Sequence, residues 1–308
     1  MTATTSKLRW GIIGPGGIAK AFRGGVAGSR YGTLEAIATR NPDKPGLAEA
    51  FPGARIHKGY EAILADPNVD AVYIALPHPG HAEWAIRAAE AGKHALVEKP
   101  IALSAFEADA IFHAHRKAGT FVGEAFMYRL HPATKKLAEL IAAGSIGEVR
   151  MIQSSFGFQM PKFMPEHRLF ANDLAGGGIL DVCCYPVSVS RLVAGAAVGK
   201  PFLDPVKVAG MARLGQAGTD EWAAATLLFE NGIVAQVSCA VMVNLDNVLR
   251  IHGSEGRIEV PDFWFAGGNR DAGPGLMHIV KPGGTTETVT LGETRHLYSF
   301  EVDGVAEA

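Results

Sequence analysis

The chain has 308 residues, 48% hydrophobic and 19% charged, enough to bury a large core and to divide into about two domains. Its 29 Lys+Arg against 31 Asp+Glu give a formal net charge of −2, which offers no electrostatic reason for nucleic acid or an anionic membrane as partner. The residues before Trp10 contain no apolar run and no membrane-spanning stretch stands out, so a soluble, cytoplasmic protein is expected.

The first predicted strand, Leu8–Ile13, runs directly into Gly14-Pro15-Gly16-Gly17-Ile18-Ala19. This is G-x-G-x-x-A between a strand and a helix. One small residue serves the tight turn, one lets a pyrophosphate approach the backbone, and one allows close helix packing. A helix starting near Ile18 then offers free N–H groups to the phosphates. The second strand, Leu34–Thr39, ends Thr39-Arg40 where NAD-binding turns carry an acid for the ribose. A hydroxyl and a guanidinium suit a 2′-phosphate instead, so NADP is preferred over NAD. Glu35 has about the right spacing but sits near the start of the strand.

Ala71–Leu76 is the next predicted strand. The alanine-rich stretch Ala82–Ala91, closed by Gly92, is a predicted helix, and Ala95–Val97 a further strand. Alternating strands and helices define βαβ units with a parallel sheet. At the carboxyl edge of that sheet, where such folds bind ligands, the chain reads Val97-Glu98-Lys99-Pro100. His113 and His115 follow on a helix at a spacing that does not share a face, which argues against a metal and for surface or boundary positions.

Beyond about Gly123 the character changes. A helix over Ala133–Ala143 precedes β-like runs at Val149–Ser155, Val206–Arg213, Ala223–Phe229, Ile233–Met242 and Val248–His252. Turn signals between them favour an antiparallel-rich sheet. Gly176-Gly-Gly-Ile-Leu-Asp181-Val-Cys183-Cys184-Tyr185 lies ahead of most of them. If it is helical from Ile179, Asp181 and Tyr185 share one face, although a helix-start cap is the plain alternative for Asp181 and packing for Tyr185. Cys183, Cys184 and Cys239 fit no disulfide framework or zinc spacing and are expected reduced and packed. Ala266–Gly284, rich in Gly and Pro, is expected to form surface loops. The predicted class is α/β, with an N-terminal Rossmann domain over residues 1–123. An α+β domain with a large, mostly antiparallel sheet follows over 124–308.

The glycine turn, Glu98-Lys99-Pro100, Leu76-Pro77-His78-Pro-Gly-His81, the segment from Glu124 through Tyr128 to Pro132 and the Asp181/Tyr185 stretch come in the order found in one family. The chain resembles the glucose-fructose oxidoreductase / inositol dehydrogenase / rhizopine catabolism (Gfo/Idh/MocA) oxidoreductases. Tyrosine rather than histidine at 185 resembles the branch with glucose-fructose oxidoreductase, dimeric dihydrodiol dehydrogenase and NADP-linked xylose dehydrogenase. The resemblance implies hydride transfer between a nicotinamide and a hydroxyl or carbonyl carbon of a sugar, polyol or dihydrodiol.

On that reading Lys99, Asp181 and Tyr185 are catalytic, either Lys99 or Tyr185 moving the proton, and Tyr128 and Arg168 join them at the substrate. A surface salt bridge is the plainer reading of Arg168. Gly14, Pro15, Gly16, Gly17, Ile18, Thr39, Arg40, Leu76, Pro77, His78, His81, Glu98 and Lys99 are expected at the cofactor, with a solvated loop position the plain alternative for Arg40 and a helix-start or packing role an equal alternative for His81; no metal is expected. A regulator of the same fold without catalysis is the competing class, which the joint presence of Lys99, Asp181 and Tyr185 disfavours. The resemblance, and apolar residues such as Val234, Val237, Ala240 and Met242 on the late strands, imply a homodimer or homotetramer formed through the sheet. Relatives continue the C-terminal helix that begins near Phe300, so the outer pocket wall is open to question.

Overall fold

The computed structural model describes residues 7–265 and 275–308. The chain forms two compact units, one of residues up to Met127 together with Arg295–Ala308, the other Tyr128–Thr294. The first unit thus keeps residues 124–127 and takes back 295–308, both of which the sequence reading assigned to the second.

In the first unit β1 (Leu8–Ile13) feeds α1 (Gly17–Gly28) and β2 (Gly32–Thr39). The short α2 (Leu47–Ala50), β3 (Arg55–Lys58) and α3 (Tyr60–Leu64) lead to β4 (Ala71–Ile74) and α4 (His81–Glu90). Then come β5 (His94–Glu98), α5 (Ala105–Ala118) and β6 (Val122–Ala125). All six strands run parallel in the order β3-β2-β1-β4-β5-β6. The chain reverses its direction of winding between β1 and β4, which opens a crevice at their carboxyl ends. The central strands are apolar on both faces because helices cover both: Ile12, Ile13, Val72, Tyr73, Ile74, Leu96 and Val97 are all buried. His115, expected near the surface, is also buried, with Nε2 3.0 Å from the Ala85 carbonyl oxygen and Nδ1 2.8 Å from the Thr120 hydroxyl. His113 is exposed.

In the second unit α6 (Pro132–Ala142) and β7 (Val149–Gly157) precede a π-helical turn, Ile179–Cys183, that continues into α7 (Cys184–Ala196). The strands β8 (Pro205–Leu214), β9 (Asp220–Phe229), β10 (Val234–Ala240), β11 (Leu249–Gly253), β12 (Gly256–Val260), β13 (Gly275–Val280) and β14 (Thr286–Leu291) follow. They make an eight-stranded sheet, β14-β13-β12-β11-β7-β10-β9-β8, antiparallel except for β7 beside β10. Part of the segment expected as loops, Ala266–Gly284, is therefore β13, paired to β12 and β14; residues 266–274 lie outside the described residues. Contrary to the expectation of no spanning stretch, Asn172–Ala196 is by length and composition long and apolar enough to cross a membrane. In this fold most of it is core, packed against the sheet.

Along β9 the pattern alternates cleanly: Leu227 and Phe229 are buried, Trp222, Ala224, Thr226 and Leu228 exposed. Register places Val237 of β10 beside Ala225, on the buried side, and Ala240 is buried as well. Val237, expected on an exposed apolar face, thus points into the core, because pleat parity and not local apolar density decides the side; Ala240, opposite Trp222, has the parity of the outer face and is covered there by its neighbours.

The last element, α8 (Ser299–Glu307), belongs to the first unit and lies on α1. The glycines of α1 make this possible: a Cβ on Gly25 would fall 2.4 Å from Cβ of Tyr298. Ser299 Oγ donates to the Gly25 carbonyl at 2.9 Å, and Asp303 Oδ1 accepts the N–H groups of Arg30 and Tyr31 at 2.8 and 3.2 Å. Glu301 on the same helix is buried, and neither carboxyl oxygen has a hydrogen-bond partner among the described residues. Burial, and then the charge of Glu98, push its carboxyl well above the usual carboxylate range. The unfolded chain ionises this group from about pH 4.3, while the folded one keeps it neutral, so folding stability falls as pH rises above that value. Glu301→Gln removes the penalty. Thermal melts are expected to show the variant more stable than wild type, by a few degrees at pH 8 and by less at pH 5; an equal or reversed difference at the two pH values would contradict this.

Candidate active site

In the first unit the expected cofactor turn has the required shape. Gly14 has φ +96°, donates its N–H to the Ala38 carbonyl at 3.0 Å, and a Cβ there would lie 2.7 Å from the Ala75 carbonyl oxygen. Only glycine fits. A Cβ on Gly16 or Gly17 would meet nothing closer than 4.0 Å, so this side of the turn is open to a ligand. No side chain caps α1 and its first turn holds no acid, which leaves the positive helix end for an anion. Pro15 and Ile18 flank the turn, both partly exposed. These residues fit a dinucleotide pyrophosphate.

At the end of β2, Thr39 is buried and its hydroxyl accepts the Asn41 N–H at 3.1 Å, forming a turn that leaves Arg40 exposed. Glu35, by contrast, lies 3.6 Å from the Arg55 guanidinium within the sheet. Leu76 and Pro77 follow β4 and remain partly or fully exposed; His78 is buried, its ring 5.7 Å from that of His81.

Glu98, expected at the cofactor, does something else, and His81 takes the packing role that is its alternative. His81 is 0% exposed, with Nδ1 2.7 Å from the Pro100 carbonyl oxygen and Nε2 2.9 Å from that of Leu76. It joins the Leu76 loop to the Lys99 loop and has no surface left for a ligand. Burial lowers its pKa, opposed by the hydrogen bonds to the two backbone carbonyls. Glu98 is also buried; it accepts the Tyr73 hydroxyl and, through Oε2, the Lys99 N–H at 3.2 Å. Tyr73 was missed from sequence because it precedes Glu98 by 25 residues and reads only as strand. Burial and the Glu98 charge push the Tyr73 phenol well up, so it stays a donor. Lys99 itself is partly exposed, and the Lys99–Pro100 peptide is cis.

In the second unit Asp181 and Tyr185 lie on successive turns of the helix that starts at Ile179. Asp181 is not the helix cap: that is Asp220 from β9, whose Oδ2 accepts the Ile179 N–H at 2.7 Å. A Cβ on Gly177 would fall 2.3 Å from Oδ1 of Asp220, which explains a glycine here. Burial raises the Asp220 carboxyl. Asp181 is buried, and its Oδ1 pairs with Nη1 of Arg168 at 2.7 Å, the guanidinium being 48% exposed. An ion pair with one half-open member keeps Asp181 an acceptor and leaves Arg168 donors facing solvent.

Tyr185 is 5% exposed and boxed by Phe156, Trp264 and Tyr128 at ring-centroid distances of 5.0, 5.4 and 5.9 Å. Tyr128, expected at the substrate, is fully buried and donates its hydroxyl to Ser188 Oγ at 2.8 Å; it is part of that box. Phe156 and Trp264 carried no signal beyond an apolar strand and an aromatic cluster. Cys183 and Cys239 are buried free thiols, and Sγ of Cys184 lies 3.6 Å from the Leu180 carbonyl oxygen. Among the described residues no group of three His, Cys, Asp or Glu side chains is placed to hold a metal.

A doubly wound parallel sheet with an open glycine turn at its switch point defines a dinucleotide-binding fold. The family of NAD-binding Rossmann oxidoreductases matches residues 8–126, and the GFO/IDH/MocA C-terminal domain matches residues 134–259; the chain belongs to the Gfo/Idh/MocA family. It is 36% identical over 255 residues to a D-xylose 1-dehydrogenase (NADP(+)) of Haloferax volcanii, covering 82% of this chain and 75% of that one. It is 30% identical over 262 residues to the trans-1,2-dihydrobenzene-1,2-diol dehydrogenase of Mus musculus, covering 83% and 75%. The crystal structure of a 3-ketoreductase from Actinomadura kijaniata with NADP and TDP-benzene superposes with TM-score 0.85 at 28% identity, over 98% of this chain and 90% of that one. The protein is an NAD(P)-dependent oxidoreductase, and these relatives lend the non-catalytic alternative no support.

Proposed function

We propose that the chain oxidises a secondary or anomeric hydroxyl of a small sugar, polyol or dihydrodiol, or reduces the corresponding carbonyl, with NADP(H) as the preferred dinucleotide. The observation that carries this is the second-unit helix, which sets the carboxylate Asp181 and the phenol Tyr185 one turn apart, both buried. Relatives named for D-xylose and for a dihydrodiol support the substrate class. The nicotinamide supplies or accepts the hydride. The chain's part is the accompanying proton and the grip on the substrate: Lys99 and Tyr185 carry the proton chemistry, while Asp181 accepts from a substrate hydroxyl and Arg168 orients Asp181. Absorbance at 340 nm tests this with NADP+ and NAD+ over a panel of aldoses, inositols and trans-dihydrodiols. No turnover with any member of the panel would overturn it.

The NADP preference rests on the exposed Arg40 that the Thr39 turn presents, with Glu35 engaged elsewhere. Arg40→Asp is expected to weaken NADPH binding by roughly 1.5–3 kcal/mol, the loss of a charge-assisted pair. NADH binding should change far less in the same fluorescence titration. Equal losses for the two dinucleotides would remove the 2′-phosphate from the argument.

We also propose that the chain self-associates through the second sheet. The edge strand β8 is exposed on both faces, with Met211 89% accessible, and Trp222 and Leu228 of β9 continue the apolar surface beside Ala209 and Ala224. A two-sided exposed edge strand is a liability unless something covers it. A second copy would cover it isologously. Light scattering at micromolar concentration should give a multiple of 32.5 kDa, and the single-chain mass would refute the proposal.

A further inference from the structure

The loop that carries Lys99 is fastened at three consecutive residues. The Lys99 N–H donates to Glu98 at 3.2 Å, the Pro100 carbonyl lies 2.7 Å from Nδ1 of His81, and the Ile101 N–H donates to Oε1 of Glu124 at 2.8 Å. The first two fastenings come from the motifs that carry the loop and its neighbour. The third does not. Glu124 is on β6, in register with Val97 of β5, so its side chain leaves the sheet beside the last residues of β5 and reaches over the turn that follows them. Ile101 is buried, and its N–H is therefore answered by protein and not by water. An N–H held by a carboxylate oxygen is a short, directional contact, and it fixes the backbone two residues beyond the lysine.

A proton-transferring side chain acts only if its backbone is held to within about half an ångström of the productive position. We propose that Glu124 is a positioning residue for Lys99: through the Ile101 N–H it sets where the Lys99 ammonium is presented, without touching substrate or cofactor. This rests on the reading of Lys99 as a proton-handling group. What matters is the acceptor oxygen and not the charge, so glutamine, which keeps a carbonyl oxygen at the same reach, should replace Glu124 and alanine should not.

The test compares Glu124→Ala, Glu124→Gln and Glu124→Asp with Lys99→Ala in the full chain. Three quantities are read: amide hydrogen exchange in the peptide spanning Glu98–Leu103, NADPH affinity by fluorescence, and kcat with the panel substrate that turns over. Glu124→Ala is expected to speed exchange in that peptide at least tenfold and to lower kcat at least tenfold, with NADPH affinity within twofold. Glu124→Gln should restore exchange and kcat to within threefold of wild type. Glu124→Asp, one methylene too short, should fall with alanine even where alanine is poorly folded.

Unchanged exchange in both the Ala and the Asp variants would overturn the proposal. So would faster exchange with full kcat, or a Gln variant as impaired as alanine. If Lys99→Ala keeps its turnover, the reading of Lys99 fails whatever Glu124 does. If Lys99→Ala is inactive while Glu124→Ala and Glu124→Asp are not, only the positioning role fails. Exchange alone decides the fastening should no panel substrate react.

Discussion

Replacing Lys99 by alanine is expected to lower turnover by roughly a thousandfold or more while leaving NADPH binding within about threefold. Moving a proton at the reacting oxygen contributes about 10²–10⁴ in rate, and a cationic donor beside a developing oxyanion adds to that. The separation from binding follows from the structure. The proposed dinucleotide cradle is backbone at Gly14–Gly17, the open end of α1 and Arg40, whose grip on the phosphates does not depend on the lysine side chain. The loop around Lys99 is held through main-chain atoms by Glu98, His81 and Glu124, so truncating the side chain leaves its course intact. Steady-state kinetics with the best panel substrate, beside a fluorescence titration of NADPH, reads both quantities. More than a tenth of wild-type turnover in the alanine variant would take Lys99 out of the chemistry.

Much of the fold is legible in the sequence where local signals act alone. β1 runs from Leu8 to Ile13 as the apolar run and the glycines after it predict, and β9, expected as a strand, alternates with a strand's period. Elements were missed where only partners make them. β3 reads Arg-Ile-His-Lys, with no apolar pattern. It is a strand because it pairs with β2, and because Arg55 and His57 lie 2.9 and 3.0 Å from the same oxygen of Asp66. Likewise β13 sits in a glycine-rich segment and depends on β12 and β14 for its backbone hydrogen bonds.

At the candidate site the sequence identified residue types more reliably than directions. It placed Glu98, Lys99 and His81 at the carboxyl edge, but an edge residue can face a ligand or turn under it. Glu98 turns under because Tyr73 waits there, and His81 because two backbone carbonyls do. Neither partner is adjacent in sequence, so no spacing rule shows the choice. The parity of Val237 is the same kind of fact, fixed by its register with Ala225.

Tyr185→Phe is expected to lower turnover by at least about a hundredfold while the melting temperature stays within about 2 °C of wild type. The structure separates these two outcomes because Tyr185 has two distinct parts. Its ring fills the space between Phe156, Trp264 and Tyr128 at 5.0–5.9 Å, and phenylalanine has the same ring, so the edge and tilted contacts persist. Only the hydroxyl is lost, and with it a proton donor and acceptor worth about 10²–10⁴ in rate if it serves the reacting oxygen. The alternative, that Tyr185 only packs, predicts the reverse: full turnover in Tyr185→Phe, and loss of stability only in Tyr185→Ala, by about 3–5 kcal/mol as for other buried rings. Measuring kcat and thermal melts for the two variants side by side therefore decides between chemistry and packing. A fully active phenylalanine variant would reassign the proton to Lys99 alone.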